Sequence, residues 1–308
     1  MKPRLRIGTR GSLLALWQAE YVKKLILEKF PEASVSITPI RTKGDKLRLA
    51  PFSEIGGKGV FVKEIEDALL EGRVDVAVHS LKDLPSHLPE GLHLGGVAKR
   101  HSALDALCSR EGAVLDALPR GARVGTSSTR RTAQLLAIRG DLRIEPLRGN
   151  VDTRLKKLRT LGLDAIVLAK AGLERMGLEG EITEVFPPER VLPAPGQGII
   201  AMEARQNDSF TNSILSLIKD AKAEAEAEAE RAFLARLGGG CQVPLGCYSE
   251  AEGEEIKIAG LIASPDGREV VRDTIAGSLS DRVSLAIELA ERILAAGGDR
   301  ILSTIRSL

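Results

Sequence analysis

Short apolar runs alternate with amphipathic stretches over the first 200 residues of the chain. The apolar runs predict strands at residues 4–9, 34–40, 74–79, 123–126, 142–146 and 165–169. Helical periodicity predicts helices at residues 12–30, 60–70, 129–138 and 151–161, the first of them capped by Ser12. Strands that alternate with helices are typical of α/β folds, so we expect parallel sheets here.

Two parts of this pattern resemble each other. IGTRGSLLALWQ near the N-terminus parallels VGTSSTRRTAQL, and VDVAVHSLKDL parallels LDAIVLAKAGL. The parallels indicate a duplicated α/β unit. Two unrelated strand–helix units can also look alike, because buried strands share one apolar pattern.

The Pro- and Gly-rich segment 191–200 (VLPAPGQGII) indicates a linker, where the chain crosses from one lobe to the other. A second such crossing is expected near residues 99–103. Two crossings predict two lobes joined by a hinge, with a cleft between them. The predicted domains are residues 1–99 with 199–218, and residues 100–198.

The pattern changes near residue 219, where a third domain, 219–308, is predicted. A Glu-rich helix ends in glycines, and its glutamates are expected to form a solvated face. Strands at 256–263 and 269–276 form a predicted hairpin around SPDG, followed by a final helix at 284–296. This order of elements is typical of an α+β domain.

The overall charge of +2 conceals an uneven distribution. Residues 1–219 hold 34 basic and 26 acidic side chains, a balance of +8, whereas residues 220–308 hold 10 and 16, a balance of −6. An anionic ligand is therefore expected in the first two-thirds of the chain. Nucleic acid is disfavoured as a partner, because aromatic residues are only 3% and the third region is acidic.

Three cysteines without a C-x-x-C pair argue against a disulfide framework or a structural zinc site. The N-terminus has no apolar segment of signal-peptide type, and no apolar run approaches the roughly 18 residues of a membrane span. We therefore expect a cytoplasmic protein that does not enter the membrane.

The basic residues follow the predicted strands. Because the carboxyl ends of parallel strands form the ligand-binding edge of an α/β sheet, we expect these side chains to meet a ligand. Arginine suits carboxylate or phosphate, so the ligand is predicted to be a small polyanion. The basic residues at these positions are Arg10, Lys82, Arg130, Arg131, Arg148, Arg154 and Arg175, with hydroxyls from Ser12, Thr126, Ser127 and Ser128.

Other common site signatures are missing or weak. The sequence has no P-loop and no strand-coupled G-x-G-x-x-G, so nucleotide motifs are absent. Its four histidines match no helical metal-binding spacing, and no metal site is predicted. GGKG around Lys58 is a Gly-rich loop that often marks only a flexible turn.

Two single residues are chemically distinctive. Asp83 follows Lys82 at a strand end. It is either a surface turn acid or helix cap, or a carboxylate kept ionised by cations and able to stabilise positive charge or move a proton. Cys241 follows three glycines and could be an accessible nucleophile or attachment point. A buried structural role fits Cys108 and, less clearly, Cys247.

Eight motifs together resemble the porphobilinogen deaminase family. They occur in family order over nearly the whole chain: IGTRGS, GGKGVFVKEIE, DVAVHSLKDLP, VGTSSTRR, LRGNVDTRL, LAKAGLERMGL, LPAPGQG and GGGCQVPLG. The resemblance implies an α/β fold of two type II periplasmic-binding-protein-like lobes with a hinge, plus a smaller α+β C-terminal domain.

The resemblance also implies an activity. Four porphobilinogen molecules are deaminated and joined head to tail into linear hydroxymethylbilane, which places the enzyme in tetrapyrrole and heme biosynthesis. The chain grows on a dipyrromethane cofactor bound by a thioether, and the matching position is Cys241. A monomer is the family expectation, and the product would pass to an enzyme that cyclises it.

By the same resemblance, Asp83 is the catalytic aspartate, which would stabilise the azafulvene cation formed when ammonia leaves. Gln18 and Gln197 are expected to line the same cleft. The cofactor and substrate carboxylates would bind Arg10, Ser12, Lys58, Ser80, Lys82, Thr126, Ser128, Arg130, Arg131, Arg148, Arg154 and Arg175. Glu54 departs from the family, whose members often have lysine there.

A rival interpretation is a non-catalytic two-lobed module that binds a polycarboxylate. A receptor of this kind would explain the cleft and the arginines. It would not need Asp83 beside Lys82, nor a Gly-flanked cysteine in an added domain.

Overall fold

The computed structural model describes residues 4–42, 62–238 and 243–306. The chain forms two compact units, residues 1–101 with 199–224 and residues 102–198 with 225–308. The first unit spans nearly the residues predicted for the first domain. The second unit contains two separate sheets, so the predicted boundary between the second and third domains stays a prediction.

The first unit is built on a five-stranded sheet of order β2-β1-β3-β10-β4, numbered along the whole chain. β1 runs parallel to β2 and β3, whereas β10 is antiparallel to both β3 and β4. The strands are β1 (Arg4–Arg10), β2 (Ser34–Ile40), β3 (Val76–Ser80), β4 (Leu92–Val97) and β10 (Ile200–Arg205).

Helices cover this sheet. Their bounds are α1 (Leu13–Lys29), α2 (Lys63–Leu70) and α6 (Ser209–Ile218), and α7 (Ala221–Arg236) begins in this unit and continues into the other. Ala19, Val22 and Ile26 lie at helical spacing on α1 and pack with Leu5 and Ile7 of β1. This core fixes where β1 ends relative to α1, and hence where Arg10 and Ser12 lie.

The second unit contains a sheet of order β7-β6-β8-β5-β9. β6 is parallel to β7 and β8, and β5 is antiparallel to β8 and β9. Strand order and directions repeat those of the first sheet, which is the arrangement that a duplicated unit gives. The strands are β5 (Asp105–Ser109), β6 (Arg123–Gly125), β7 (Arg143–Glu145), β8 (Ala165–Ala169) and β9 (Glu184–Phe186).

The prediction of parallel sheets is wrong in one respect, because each sheet also contains an antiparallel strand. In the first sheet this strand is β10, which starts at the last residue of the predicted linker. In the second sheet it is β5. An apolar run indicates that a strand is buried but not in which direction it runs, so the pattern could not distinguish a parallel strand from an antiparallel one.

The helices of the second α/β sheet follow its strands. They are α3 (Thr129–Ile138), α4 (Val151–Thr160) and α5 (Lys170–Arg175). Leu135 of α3 packs with Val124 of β6 and Val167 of β8 in one buried cluster. Each helix therefore begins near a strand end, as the strand–helix alternation predicted.

The rest of the second unit is α+β, as predicted. A three-stranded antiparallel sheet of order β11-β12-β13 packs with helices through Phe233, Ile258 and Leu289. The predicted final helix ends at Ile293, and a further helix follows it. The elements are β11 (Leu245–Glu252), β12 (Glu255–Ala263), β13 (Val270–Ser278), α8 (Arg282–Ile293) and α9 (Asp299–Arg306).

The Glu-rich helix α7 does not have the solvated glutamate face that was predicted. Glu226 and Glu230, four residues apart on one face, are buried. Glu230 accepts hydrogen bonds from the backbone N–H groups of Gly196 and Ser249, at 2.6 and 2.8 Å. The small alanines between the glutamates let the helix pack closely, so the acids on the inner face are used as backbone acceptors.

None of the helices within the described ranges is both long enough and apolar enough to cross a membrane.

Candidate functional site

The carboxyl end of β1 is tied to its neighbours by Thr9. The Thr9 hydroxyl oxygen lies 3.3 Å from the Ala15 carbonyl oxygen of α1 and 3.2 Å from the Val78 carbonyl oxygen of β3. Arg10, the last residue of β1, is half-buried. Ser12 caps α1 by accepting a 3.3 Å hydrogen bond from the Ala15 N–H. The structure thus places Arg10 and Ser12 at the edge where parallel strands end.

Gln18 and Ser80 join α1 to the end of β3. The Gln18 Nε2 donates to Ser80 Oγ at 2.9 Å, and Gln18 is almost fully buried. A buried amide must find partners, and this one turns the Ser80 hydroxyl toward α1. Both predicted residues therefore lie at the same sheet edge as Arg10.

Lys82 and Asp83 lie in a short 3-10 turn, Leu81–Asp83, directly after β3. Leu81 and Leu84, on either side of them, are buried, and the Leu81 N–H donates to the Ile199 carbonyl at 3.0 Å. Asp83 itself is exposed and Lys82 is partly exposed. The two leucines anchor the turn, so that the carboxylate of Asp83 is held on a fixed backbone while it stays open to solvent.

A second such edge lies in the second unit, where β6 ends. Thr126 is buried, and its Oγ1 accepts a 3.2 Å hydrogen bond from the Ser128 N–H. Ser128 caps α3 and accepts from the Arg131 N–H. The N-terminus of α3 is therefore ordered at the end of β6, and helix N-termini favour anions.

Arg130 and Arg131, in the first turn of α3, are both buried and share one counter-ion, Asp105. Asp105 Oδ2 accepts from Arg130 Nη1 at 2.7 Å, and Oδ1 accepts from Arg131 Nε at 3.0 Å and Nη2 at 2.6 Å. Burial alone would raise the pKa of Asp105, but the charges and hydrogen bonds of the two arginines hold it well below its ordinary value. Sequence reasoning missed Asp105, although an acid opening an apolar run (DALC) is an unusual signal.

Gln197 and Arg175 lie close to the same network. Gln197 Nε2 donates to the Ala103 carbonyl at 2.6 Å and to Asp105 Oδ1 at 2.9 Å. Arg175, at the end of α5, is buried and its Nη2 donates to the Gly198 carbonyl at 2.7 Å. The predicted linker is therefore held by hydrogen bonds of its backbone and side chains, and it is largely buried.

Arg148 and Arg154 lie around the N-terminus of α4, after β7, and both are partly exposed. Arg154 Nε donates to the Gly149 carbonyl at 2.8 Å. Gly149 has a φ of +121°, and a Cβ there would lie 2.8 Å from Thr153 Cγ2. Glycine is therefore required at this position, where the chain turns from the strand end into the helix.

Two of the predicted site residues, Lys58 and Cys241, lie outside the described residues, as does the family departure Glu54. The other two cysteines, Cys108 and Cys247, lie in buried positions. Burial, with the charge of Glu181, raises the pKa of Cys108 to about 12. Neither described thiol is therefore placed to react with a ligand.

A buried acid cluster behind β3 was also missed by sequence reasoning. His79 Nε2, on β3, lies 3.1 Å from Glu203 Oε2, on the neighbouring strand β10, and both side chains are buried. Burial, and then the charges of Glu203 and Asp67, raise the pKa of Glu66 to about 7. Across residues 4–42, 62–238 and 243–306, no group of three or more His, Cys, Asp or Glu side chains could hold a metal ion.

The structure thus places the described candidates at the carboxyl edges of two sheets. The first edge carries Arg10, Ser12, Gln18, Ser80, Lys82 and Asp83; the second carries Thr126, Ser128, Arg130, Arg131, Arg148, Arg154, Arg175 and Gln197. Each edge combines cations, hydroxyls and amides, and the first also has the exposed carboxylate of Asp83. Such an edge can bind carboxylates and hold an ionised acid near them.

Comparison with solved structures gives only weak similarities. A YaeC family lipoprotein from Enterococcus faecalis V583 has a TM-score of 0.42 at 12% identity, over 72% of this chain and 93% of that chain. The alkanesulfonate-binding protein SsuA from Xanthomonas axonopodis pv. citri has a TM-score of 0.39 at 14% identity, over 76% of this chain and 75% of that chain. The strand order and directions described above, rather than these similarities, define the fold.

Comparison of sequences is far more specific. Residues 5–213 match the family model "porphobilinogen deaminase, dipyromethane cofactor binding domain", and residues 224–295 match its C-terminal domain. The porphobilinogen deaminase of Geobacter sp. (strain M21) is 46% identical over 98% of this chain and 94% of its own length. That of Pelotomaculum thermopropionicum is 48% identical over 99% of this chain and 98% of its own length. The chain therefore belongs to the porphobilinogen deaminase family.

Proposed function

We propose that this protein is a transferase that deaminates four porphobilinogen molecules and joins them head to tail into hydroxymethylbilane, on a covalent dipyrromethane primer. Family membership over almost the full length supports this activity. The observation that carries the proposal is the exposed carboxylate of Asp83, which follows Lys82 on an anchored turn at a ligand-binding sheet edge.

The residues present fit a polycarboxylate such as dipyrromethane. At the second edge the Arg130 side chain is buried, and its Nε has no hydrogen-bond partner among the described residues. A buried N–H without a partner costs free energy, and a ligand carboxylate would satisfy it. When bound, dipyrromethane supplies the pyrrole carbon on which the chain grows.

In this proposal, one set of residues holds the acetate and propionate groups of the pyrroles. Gln18 and Gln197 support it through hydrogen bonds to Ser80 and Asp105. The binding residues are Arg10, Ser12, Lys58, Ser80, Lys82, Thr126, Ser128, Arg130, Arg131, Arg148, Arg154 and Arg175. Because carboxylates rather than ring faces are held, the site does not need a stacking surface of aromatic residues, which make up only 3% of the chain.

Asp83 has the catalytic role in this proposal. When the C–N bond of porphobilinogen breaks, its electron pair leaves with ammonia and a positive charge develops on the pyrrole. An ionised carboxylate that accepts a hydrogen bond from the pyrrole N–H stabilises that charge. The same carboxylate can accept the proton lost from the attacked carbon and, once protonated, pass it to the amino group of the next porphobilinogen, which leaves as ammonia.

Cys241 is the proposed attachment point. Cys108 and Cys247 are buried in the cores of the second unit, so the described thiols offer no accessible alternative. Cys241 follows Gly238, where α7 has ended and φ is +58°.

The location, oligomeric state and partners of the protein are proposed from the same family relationship. We expect a cytoplasmic monomer that binds neither nucleic acid nor membrane. Its linear product would pass to a cyclising enzyme of tetrapyrrole biosynthesis.

The activity is tested by incubating the purified protein with porphobilinogen and measuring ammonia and the linear tetrapyrrole together. Four ammonia molecules are expected for each tetrapyrrole released. A protein that binds porphobilinogen without releasing ammonia would instead support the rival interpretation, a non-catalytic binding module.

A further inference from the structure

Asp105 is a buried acid at an edge that would bind anions. It is the first residue of β5, and its register partner is Ala169, the last residue of β8. Because β5 runs antiparallel to β8, its first residue lies at the same edge as the carboxyl ends of β6 and β8. A carboxylate there would repel a polycarboxylate ligand unless cationic groups of the protein neutralised its charge.

The surrounding hydrogen-bond donors, which include two guanidinium groups, neutralise that charge. Oδ1 accepts from Arg131 Nε, Arg131 Nη2 and Gln197 Nε2, and Oδ2 accepts from Arg130 Nη1. These partners come from two different segments, the start of α3 and the residues before β10. Two guanidinium groups with one carboxylate leave a net positive charge of one for a ligand.

The contacts also set the orientation of Arg130. Its Nη1 is held on two sides, by Asp105 Oδ2 and by the Leu192 carbonyl, each at 2.7 Å. Gln134 fixes Leu192 in turn, accepting from its N–H at 2.7 Å and donating to its carbonyl at 3.0 Å. With Nη1 anchored, Arg130 keeps its Nε–Nη2 side, the side that can bind a carboxylate through two parallel hydrogen bonds.

That side has no partner within the described parts of the chain. Nε of Arg130 is buried without a hydrogen bond, and the hydrogen bonds of this side chain all start from Nη1. Arg131 differs, because its Nε and Nη2 bind Asp105 and its Nη1 donates to the Val167 carbonyl at 3.0 Å. The two neighbouring arginines are therefore held in different ways by one acid.

We propose that Asp105 is a positioning residue, which anchors Arg130 by Nη1 so that its Nε–Nη2 side receives one carboxylate of the bound pyrrole chain. The inference rests on the proposed function, since it assigns a polycarboxylate to this edge. Asp105 touches no ligand and acts only through the arginine.

The test measures loading of the unmodified protein rather than turnover. Unmodified chains are incubated with increasing porphobilinogen, and intact mass gives the fraction that carries two pyrrole units. Asp105→Asn keeps the shape but removes the charge, and is expected to need about tenfold more porphobilinogen for half-loading, the size of a lost charge-assisted hydrogen bond. Asp164→Asn is the control, because Asp164 also pairs with an arginine, Arg110, but precedes β8 at the opposite end of the sheet.

A double-mutant cycle separates positioning from a general structural effect. If Asp105 acts through Arg130, Asp105→Asn should change loading little in an Arg130→Gln background. Independent, multiplying effects would overturn the proposal, and so would wild-type loading of the Asp105→Asn variant.

If Asp105→Asn does not fold, Asp105→Glu decides, because it keeps the charge and moves the carboxylate by one methylene. Impaired loading of this variant supports the proposal, and wild-type loading overturns it. Failure of the wild-type protein to load would count against the proposed function itself, which keeps the two outcomes distinct.

Discussion

Glu230 Oε2 accepts a 2.6 Å hydrogen bond from the backbone N–H of Gly196, while its other oxygen, Oε1, accepts from Ser249 at 2.8 Å. One buried carboxylate on α7 thus joins the residues just before Gln197 to strand β11. The segment that carries Gln197 is therefore fixed by one of the glutamates that the sequence pattern predicts to lie on a solvated helix face.

Glu230→Gln should lower the free energy of unfolding by about 1–3 kcal/mol, because an amide nitrogen cannot accept the backbone N–H that a carboxylate oxygen accepts. Glu228→Gln is the matched control on the same helix, since Glu228 is partly exposed and pairs with Arg282. It should cost less than about 1 kcal/mol. Urea unfolding of both variants measures the difference, and equal costs would contradict the buried role of Glu230.

Glu66 should make stability fall as the pH rises. Its pKa in the folded protein is raised, chiefly by burial, from the ordinary value near 4.5 to about 7. The stabilisation that protonated Glu66 provides is therefore fully present below the pKa that this group has in the unfolded chain, and it is lost as the pH rises through 7. A shift of this size corresponds to at most about 3 kcal/mol between pH 4 and pH 8.

Replacing Glu66 with Gln should remove most of this dependence. The variant is expected to gain stability relative to the wild type on going from pH 5 to pH 8, as measured by denaturant unfolding at each pH. Glu71→Gln on the same segment serves as the control, because Glu71 is exposed and pairs with Arg73 at the surface. An identical pH profile for Glu66→Gln and the wild type would show that this acid is not the titrating group.

Much of the fold follows from the sequence because it depends on local burial. The limits of β2, α3 and β8 match the predicted ones, and Ser12 caps α1 as expected. In these segments the periodicity of apolar residues, together with a capping hydroxyl, determines the element.

What could not be predicted depends on long-range partners. The direction of β10 is set by β3, more than 100 residues earlier in the chain, and no local pattern records it. Likewise, Glu226 and Glu230 look like surface acids until β11 and the segment before β10 supply N–H donors. Burial of a charged side chain is decided by such partners, not by its neighbours in the sequence.

The candidate site divides in the same way. The predicted strand ends located Arg10, Lys82, Asp83 and Thr126 at the ligand-binding edge, because that carboxyl edge follows from the strand–helix alternation. Asp105 was missed, since it begins an antiparallel strand that reaches this edge from the opposite direction. The sequence therefore located the cations but not the acid that holds two of them.

Asp83→Asn is expected to lower kcat by at least about 100-fold, the usual contribution of a positioned acid or base. Folding and the covalent adduct should be unaffected, because Asp83 is exposed and Leu81 and Leu84 anchor its turn. Steady-state release of ammonia from porphobilinogen gives kcat. Glu90→Gln, a substitution of an exposed acid in the same unit, should behave as the wild type.

Activity of Asp83→Asn at the wild-type level would show that Asp83 is not catalytic. Loss of the adduct together with activity would instead assign Asp83 to cofactor assembly.

The covalent primer on Cys241 is the central claim, and intact mass spectrometry of the purified protein tests it most directly. The account predicts that the wild type, Cys108→Ser and Cys247→Ser all carry the mass of two pyrrole units, and that Cys241→Ser does not. An active wild-type protein with the unmodified sequence mass, or an adduct that persists in Cys241→Ser, would contradict it.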